Sequence, residues 1–280
     1  MVNKEKKFYI TTPIYYVNDV PHIGHAYTTV ICDTIANFNK WLGNEVNFLT
    51  GTDEHGQKVE KSALKANMDP QTFTDNVSTS FKKLASKLEI NNTDFIRTTE
   101  DRHIKSVKHL WNILVNKGDI YIDKYSGWYS IRDEAFYSND EIIEDKNGKK
   151  LAPNGSEVEW LEEPSYFFKL SSWQDKLLKF YEKNPDFISP KSRYNEVLSF
   201  VNGGLEDLSI SRTTFNWGIQ VPDNDDHVIY VWLDALTNYI SALDYPNKDS
   251  KNWKSFWPAD IHVVGKDILR FHAIYWPAFL

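Results

Sequence analysis

The 280-residue sequence has a single cysteine, Cys32, which excludes an internal disulfide and a multi-cysteine zinc site. No apolar run is long enough to cross a bilayer, and the first residues, MVNKEKKFYITT, lack a signal-peptide core. No membrane partner is expected, and the cytoplasm is the expected compartment. Positive charge is also scarce: the net charge is −7 and the pI about 5.6. That argues against broad coating of nucleic acid and against DNA as a partner, while leaving room for a local basic track facing a structured RNA. The lysine clusters Lys4, Lys6, Lys7 and Lys146, Lys149, Lys150 read as solvated surface. Neither an internal repeat nor a low-complexity segment is visible. The rest is a globular composition, 41% hydrophobic and 25% charged, long enough for two domains or one domain with an insertion.

The chain is organised around residues 8–31, FYITTPIYYVNDVPHIGHAYTTVI. β-Forming residues pass through a polar turn at Asn18-Asp19 into a helix. Pro21 suits a first turn because it lacks the N–H that would go unpaired there. Ile31, Ile35, Phe38 and Leu42 recur as one buried helical face, and Gly43 suits a left-handed cap. His22, Gly24 and His25 sit on this strand-to-helix join. A helix N-terminus attracts phosphate, and a glycine there permits close approach of a base or phosphate. Imidazoles at i and i+3 share one side of the turn and can donate to oxygens that gain charge in phosphoryl transfer.

A second strand, Glu45 to Thr50, runs into the polar loop GTDEHGQK. Loops at the carboxyl ends of parallel strands are where open α/β sheets bind ligands. Asp53 there suits either a substrate ammonium or a helix N-cap. Helices follow over 54–67 and from Asp69-Pro70, the latter with a core stripe Phe73, Val77, Phe81, Leu84, Leu88. A strand at Asp94–Thr99 and a helix carrying Ile104, Val107, Leu110, Trp111 and Leu114, ended by Gly118, complete a parallel, doubly wound pattern. Residues 119–216 change texture, with short strands, an Asn147-Gly148 hairpin signal and helices near Ser172 and Pro190; they read as an inserted α+β module. The sheet pattern returns in HVIYVW (227–232) and IHVVG (261–265), after which Asp267 caps a helix with Ile268, His272 and Trp276 on one face. The buried histidine is the odd member of that face, since it needs a partner.

PHIGHAYT, FLTGTDEHGQK, SISR, YVWLDA and HVVGKDILRFHAIYWPA, in this order, resemble the catalytic region of class I aminoacyl-tRNA synthetases, the methionyl group in particular. The resemblance implies an α/β fold: a Rossmann-like doubly wound parallel sheet (1–118 and 217–280) split by an inserted connective-peptide domain (119–216). It implies activation of L-methionine with ATP and Mg²⁺ and transfer to tRNA(Met). His22 and His25 would be catalytic and, with Gly24 and Gly265, would bind ATP. Asp53 would hold the methionine ammonium and Arg212 its polar end. Ile14, Tyr16, Trp232, Ala235, Tyr239, Ile268, His272 and Trp276 would surround the side chain, a thioether that packs on aromatic edges. The insertion, at about 100 residues, is too small for a separate editing domain. In GWYSIRDEAFYS, Ser130 and Asp133 stand where relatives carry knuckle cysteines, so no structural zinc is expected and no metal site is assigned. The chain stops at Leu280, before the family's Lys-Met-Ser-Lys-Ser loop, as a portion of a longer enzyme would. Trp257, Trp276, Phe279 and Leu280 are then expected to form an exposed apolar patch. The competing readings are a stand-alone His-x-Gly-His nucleotidyltransferase, which the insertion disfavours, and a non-catalytic synthetase-like binding protein.

Overall fold

A computed structural model describes residues 6–133, 135–146 and 148–280; Lys4 and Asn147 lie outside the described residues. The first half alternates strands and helices: β1 (Lys7–Thr11), β2 (Tyr15–Tyr16), α1 (Ile23–Trp41), β3 (Glu45–Asp53), α2 (Gln57–Lys65), α3 (Pro70–Lys87), β4 (Asp94–Arg97) and α4 (Asp101–Asn116). β3 is the hub. It pairs in parallel with β1 and then β2 along one edge and with β4 along the other. Gly51 permits the last pairing, because a Cβ there would lie 2.1 Å from the Ile96 carbonyl oxygen. All these strands end on the same side, which places Tyr16, Asp53 and the start of α1 along one rim.

The next segment is antiparallel: β5 (Ile120–Ser130), β6 (Ala135–Tyr137), β7 (Ile143–Glu144), β8 (Lys150–Leu151) and β9 (Glu159–Phe168), then α5 (Gln174–Lys183), α6 (Lys191–Asn202) and β10 (Leu208–Ser209). One sheet runs in the order β10-β9-β5-β6. β7 and β8 pair antiparallel, and Asp145 N–H donates to the Lys149 carbonyl at 2.9 Å. β11 (Ser211–Arg212), β12 (Gln220–Val221) and β13 (Asn224–Ile229) form a small sheet, followed by α7 (Val231–Ser241), α8 (Lys251–Phe256) and β14 (Ile261–His262). β14 adds to β1 in parallel. A 3₁₀ turn (Lys266–Ile268), a π turn (Phe271–Tyr275) and α9 (Trp276–Phe279) finish the chain.

Several expectations are corrected here. The strand expected at 227–232 ends at Ile229, and Trp232 lies in the first turn of α7. The strand expected at 261–265 ends at His262, and Asp267 makes no cap but pairs with its neighbour Lys266. On α1 the buried side chains are Thr29, Cys32 and Ala36, while Phe38 and Leu42 are exposed. Small side chains let α1 approach the sheet closely: Cys32 and Ala36 are buried against Ile10, Val46 and Phe48, and Ile35 of the expected face packs partly buried against the same cluster. Leu88 is likewise exposed. The expected apolar patch at the chain end is absent at Trp276 and Phe279, which are buried against Tyr239, Trp257 and Phe168. Lys7 pairs with Glu45, Lys149 with Glu157 and Lys150 with Glu144, ordinary surface ion pairs. No helix among the described residues is long and apolar enough to cross a membrane.

Candidate functional site

His22 is the N-cap of α1, with extended backbone (φ −118°, ψ 176°). Its Nδ1 accepts from Gly24 N–H at 3.1 Å, and its own N–H donates to His25 Nδ1 at 3.1 Å, so two imidazoles make a reciprocal capping box. The rings stack with centroids 3.8 Å apart. Because both Nδ1 atoms accept, the proton of each neutral ring sits on Nε2, as a hydrogen-bond donor. Burial, helped by the neighbouring His22, pushes the His25 pKa down to about 4, so this ring is uncharged at neutral pH. Tyr15 and Phe81 wall His25 at 4.8 and 5.0 Å. Gly24 has a local role beyond ligand approach: a Cβ there would lie 3.0 Å from His22 Cε1, against the folded-back ring.

Beside this turn is a cavity of about 240 Å³. Tyr15 touches His25, and Tyr16, next in the chain, lines the cavity. Of the residues expected around an amino acid, Ile14, Tyr16, Asp53, Trp232, Ala235 and Tyr239 line it, as do Ile268 and His272. Trp232, Ala235 and Tyr239 share the inward face of α7 at spacings of three and four. Trp232 is held flat by Phe271, with ring centroids 3.6 Å apart and planes within 7°. His272 donates from Nδ1 to the Ile268 carbonyl at 2.9 Å and accepts at Nε2 from the Tyr239 hydroxyl at 2.6 Å. Burial lowers its pKa to about 4, so it too is a neutral ring.

Arg212 and Trp276 do not line this cavity. Trp276 sits behind Tyr239, at 6.1 Å between ring centroids. Arg212 is buried on the wall of a second cavity, of about 690 Å³, donating from Nη1 to Ser209 Oγ and the Ser211 carbonyl, with its guanidinium over Tyr230 and Phe136. Gly265 lines neither cavity; it is exposed, and nothing lies within 4 Å of where its Cβ would be. Sequence reasoning missed Lys58, Arg132 and Asp133 on the first cavity. Lys58 is the last residue of the polar loop GTDEHGQK and could have been inferred from it. Arg132 and Asp133 lie in a turn between β5 and β6, where no periodicity marks them.

That turn is knotted by hydrogen bonds. Asp133 accepts from the hydroxyls of Ser130 (2.8 Å), Tyr137 (3.0 Å) and Ser156, and Ser156 N–H donates to Asn154 Oδ1 at 3.0 Å. Burial works to raise the Asp133 pKa, but these donors overturn it and hold the carboxyl below its usual range. Hydroxyls, an amide and one carboxylate do not suit Zn²⁺, which favours thiolate and imidazole. The described residues contain no group of three or more His, Cys, Asp or Glu side chains arranged to hold a metal.

A family model described as tRNA synthetases class I (M) matches residues 8–280. A methionine–tRNA ligase of Rickettsia bellii is 66% identical over 273 residues, which cover 98% of this chain and 53% of that protein. One of Brucella suis is 54% identical over 275 residues, with the same two coverages. The chain therefore spans about half the length of these relatives. Among solved structures, Mycobacterium tuberculosis methionyl-tRNA synthetase bound by methionyl-adenylate superposes with a TM-score of 0.96 at 51% identity, over 98% of this chain and 55% of that one. The free-state structure of the same enzyme gives 0.86 at 47% identity, over 100% and 54%.

Proposed function

The chain belongs to the class I (M) tRNA synthetases, and from that premise we propose that it carries the amino-acid-activating centre of a methionine–tRNA ligase. The observation that carries the reading is one mainly apolar cavity with a carboxylate, Asp53, beside a helix start capped by two imidazoles. In the proposed reaction a methionine carboxylate oxygen attacks the α-phosphorus of ATP. The bond from that phosphorus to the bridging oxygen breaks, pyrophosphate leaves, and methionyl-adenylate remains. A terminal hydroxyl of tRNA(Met) then attacks the acyl carbon, its proton is lost and AMP leaves.

Asp53 pairs with the substrate ammonium, and Lys58 and Arg132, on the same cavity, supply positive charge opposite the carboxylate. Arg212 lines the other cavity, so in this reading Lys58 and Arg132 take the place at the polar end that the family resemblance gave to Arg212. Tyr16, Trp232 and Tyr239 offer aromatic edges and faces to the thioether, and neutral His272 adds no charge to desolvate. Nε2–H of His22 and of His25 donates to phosphate oxygens as charge builds at the α-phosphorus. Gly24 and Gly265 are the proposed points of close approach for ATP. Mg²⁺ is carried on the ATP phosphates rather than in a protein cage, and the proposed setting is the cytoplasm.

Calorimetry with methionine, leucine and homocysteine tests the cavity in this chain alone. Methionine-selective binding that Asp53→Ala weakens is expected; a folded sample that binds none of the three refutes the reading. In the full-length enzyme His25→Ala is expected to slow methionine-dependent ATP–pyrophosphate exchange roughly 10²–10³-fold while methionine affinity stays nearly constant. Equal losses in both would remove the role given to His25.

A further inference from the structure

We propose that Asp234 is a positioning residue whose buried carboxylate clamps the loop bearing Asp53 to the helix bearing Trp232 and Tyr239, and so sets the width of the amino-acid cavity. The proposal rests on the methionine reading above. Asp234 lies in the first turn of α7 and is fully buried. Its Oδ2 is 2.6 Å from His55 Nδ1, in the loop after β3, and its Oδ1 is 2.7 Å from His103 Nε2, in the first turn of α4. His55 and His103 are buried as well.

A carboxylate only accepts, so both rings donate, His55 through Nδ1 and His103 through Nε2. The other nitrogen of His103 fits this assignment: its Nδ1 is buried with no hydrogen-bond partner among the described residues, which a lone pair tolerates better than an N–H. Burial works to raise the Asp234 pKa, but the two imidazoles reverse the sign and hold it below the usual carboxylate range. One buried carboxylate thus ties three elements together.

Its position is what connects it to the substrate. Asp53 precedes His55 by two residues, Trp232 precedes Asp234 by two, and Ala235 follows it directly; all three line the cavity. The loop has a second anchor in Trp217, whose ring meets His55 edge-on at 5.5 Å, whose Nε1 donates to the Glu54 carbonyl at 2.5 Å and whose carbonyl accepts from Gly56 N–H at 3.0 Å. Loss of the clamp therefore releases the spacing between loop and α7 without unfastening the loop itself.

Two pairs of isosteres test this. Asparagine places an N–H near the position of histidine Nδ1, and glutamine near that of Nε2. His55→Asn and His103→Gln keep a donor facing Asp234, whereas His55→Gln and His103→Asn misplace it. Methionine binding is measured by calorimetry and unfolding temperature by calorimetric scan. Within each pair the donor-keeping variant is expected to bind methionine at least roughly tenfold more tightly, at similar unfolding temperatures. Long-range ¹H–¹⁵N spectra of the unsubstituted protein are expected to place protons on His55 Nδ1 and His103 Nε2. Equal weakening within each pair, weakening that merely tracks unfolding temperature, or the opposite tautomers would overturn the clamp while leaving the functional reading intact. An unsubstituted, folded protein that fails to bind methionine would overturn both.

Discussion

Replacing His272 with glutamine is expected to flatten the acid side of the stability profile. The His272 ring is 8% exposed, and both its nitrogens are committed: Nδ1–H to the Ile268 carbonyl, Nε2 as acceptor from the Tyr239 hydroxyl. A second proton would land on Nε2, facing the hydrogen of a phenol. Burial accordingly lowers the pKa from 6.5 to about 4, only partly opposed by the Ile268 carbonyl. In the unfolded chain the ring titrates near 6.5. Between these values the unfolded state holds more protons than the folded one, so stability falls as pH falls. The contribution is fully present above the unfolded pKa and is lost on descent toward the folded one. At about 1.36 kcal/mol per pH unit, the loss from about pH 7.5 to pH 5 comes to roughly 2 kcal/mol. Urea unfolding of the unsubstituted chain and of His272→Gln at both pH values measures it. The variant loses hydrogen bonds and is less stable at either pH, but that loss cancels in the pH difference. Its pH dependence is expected to be smaller by about 2 kcal/mol; equal pH dependence in the two proteins would refute the reasoning.

Two further substitutions probe the frame beneath the site. Gly51→Ala forces a Cβ to within 2.1 Å of the Ile96 carbonyl oxygen, so β3 and β4 must part; a loss of about 3 kcal/mol is expected from the denaturant midpoint, and an unchanged midpoint would contradict it. Arg97→Met leaves the fully buried Glu54 without its guanidinium, which donates to both carboxylate oxygens at 2.7 and 2.8 Å. The expected cost is about 3–5 kcal/mol, and Arg97→Met combined with Glu54→Leu is expected to recover much of it. A single substitution as stable as the parent would show that Thr52 and Thr99, which also donate to Glu54, suffice.

The legible parts of the sequence were those in which chemistry is local. Asp69 caps α3 through Thr72 N–H, as its place before Pro70 predicted, and Gly43 and Gly118 take the left-handed conformations expected after α1 and α4. His22 and His25 could be placed together because helix geometry alone brings i and i+3 into contact. What failed was burial on a helix seated against a sheet. Ile35 does pack against the core cluster, but Phe38 and Leu42, in the same helical period, are exposed, because hydrophobicity does not report how closely a helix approaches its neighbour; the fully buried places go to Cys32 and Ala36. A tyrosine, a valine and a tryptophan after HVI all favour a strand through Trp232; tertiary packing starts the helix at Val231 instead.

By itself, the sequence determined the α/β alternation and the pair of imidazoles at a helix start, because each depends on spacing within a few residues; most of the side chains that line the first cavity followed from the family resemblance instead. Tertiary structure alone decided that Arg132 and Asp133 reach this cavity while Arg212 lines the next one. It also decided that Asp234 meets histidines 179 and 131 residues away. Those contacts join segments whose spacing along the chain carries no periodic signal, and they exist only once the sheet has closed and a buried carboxylate must find donors.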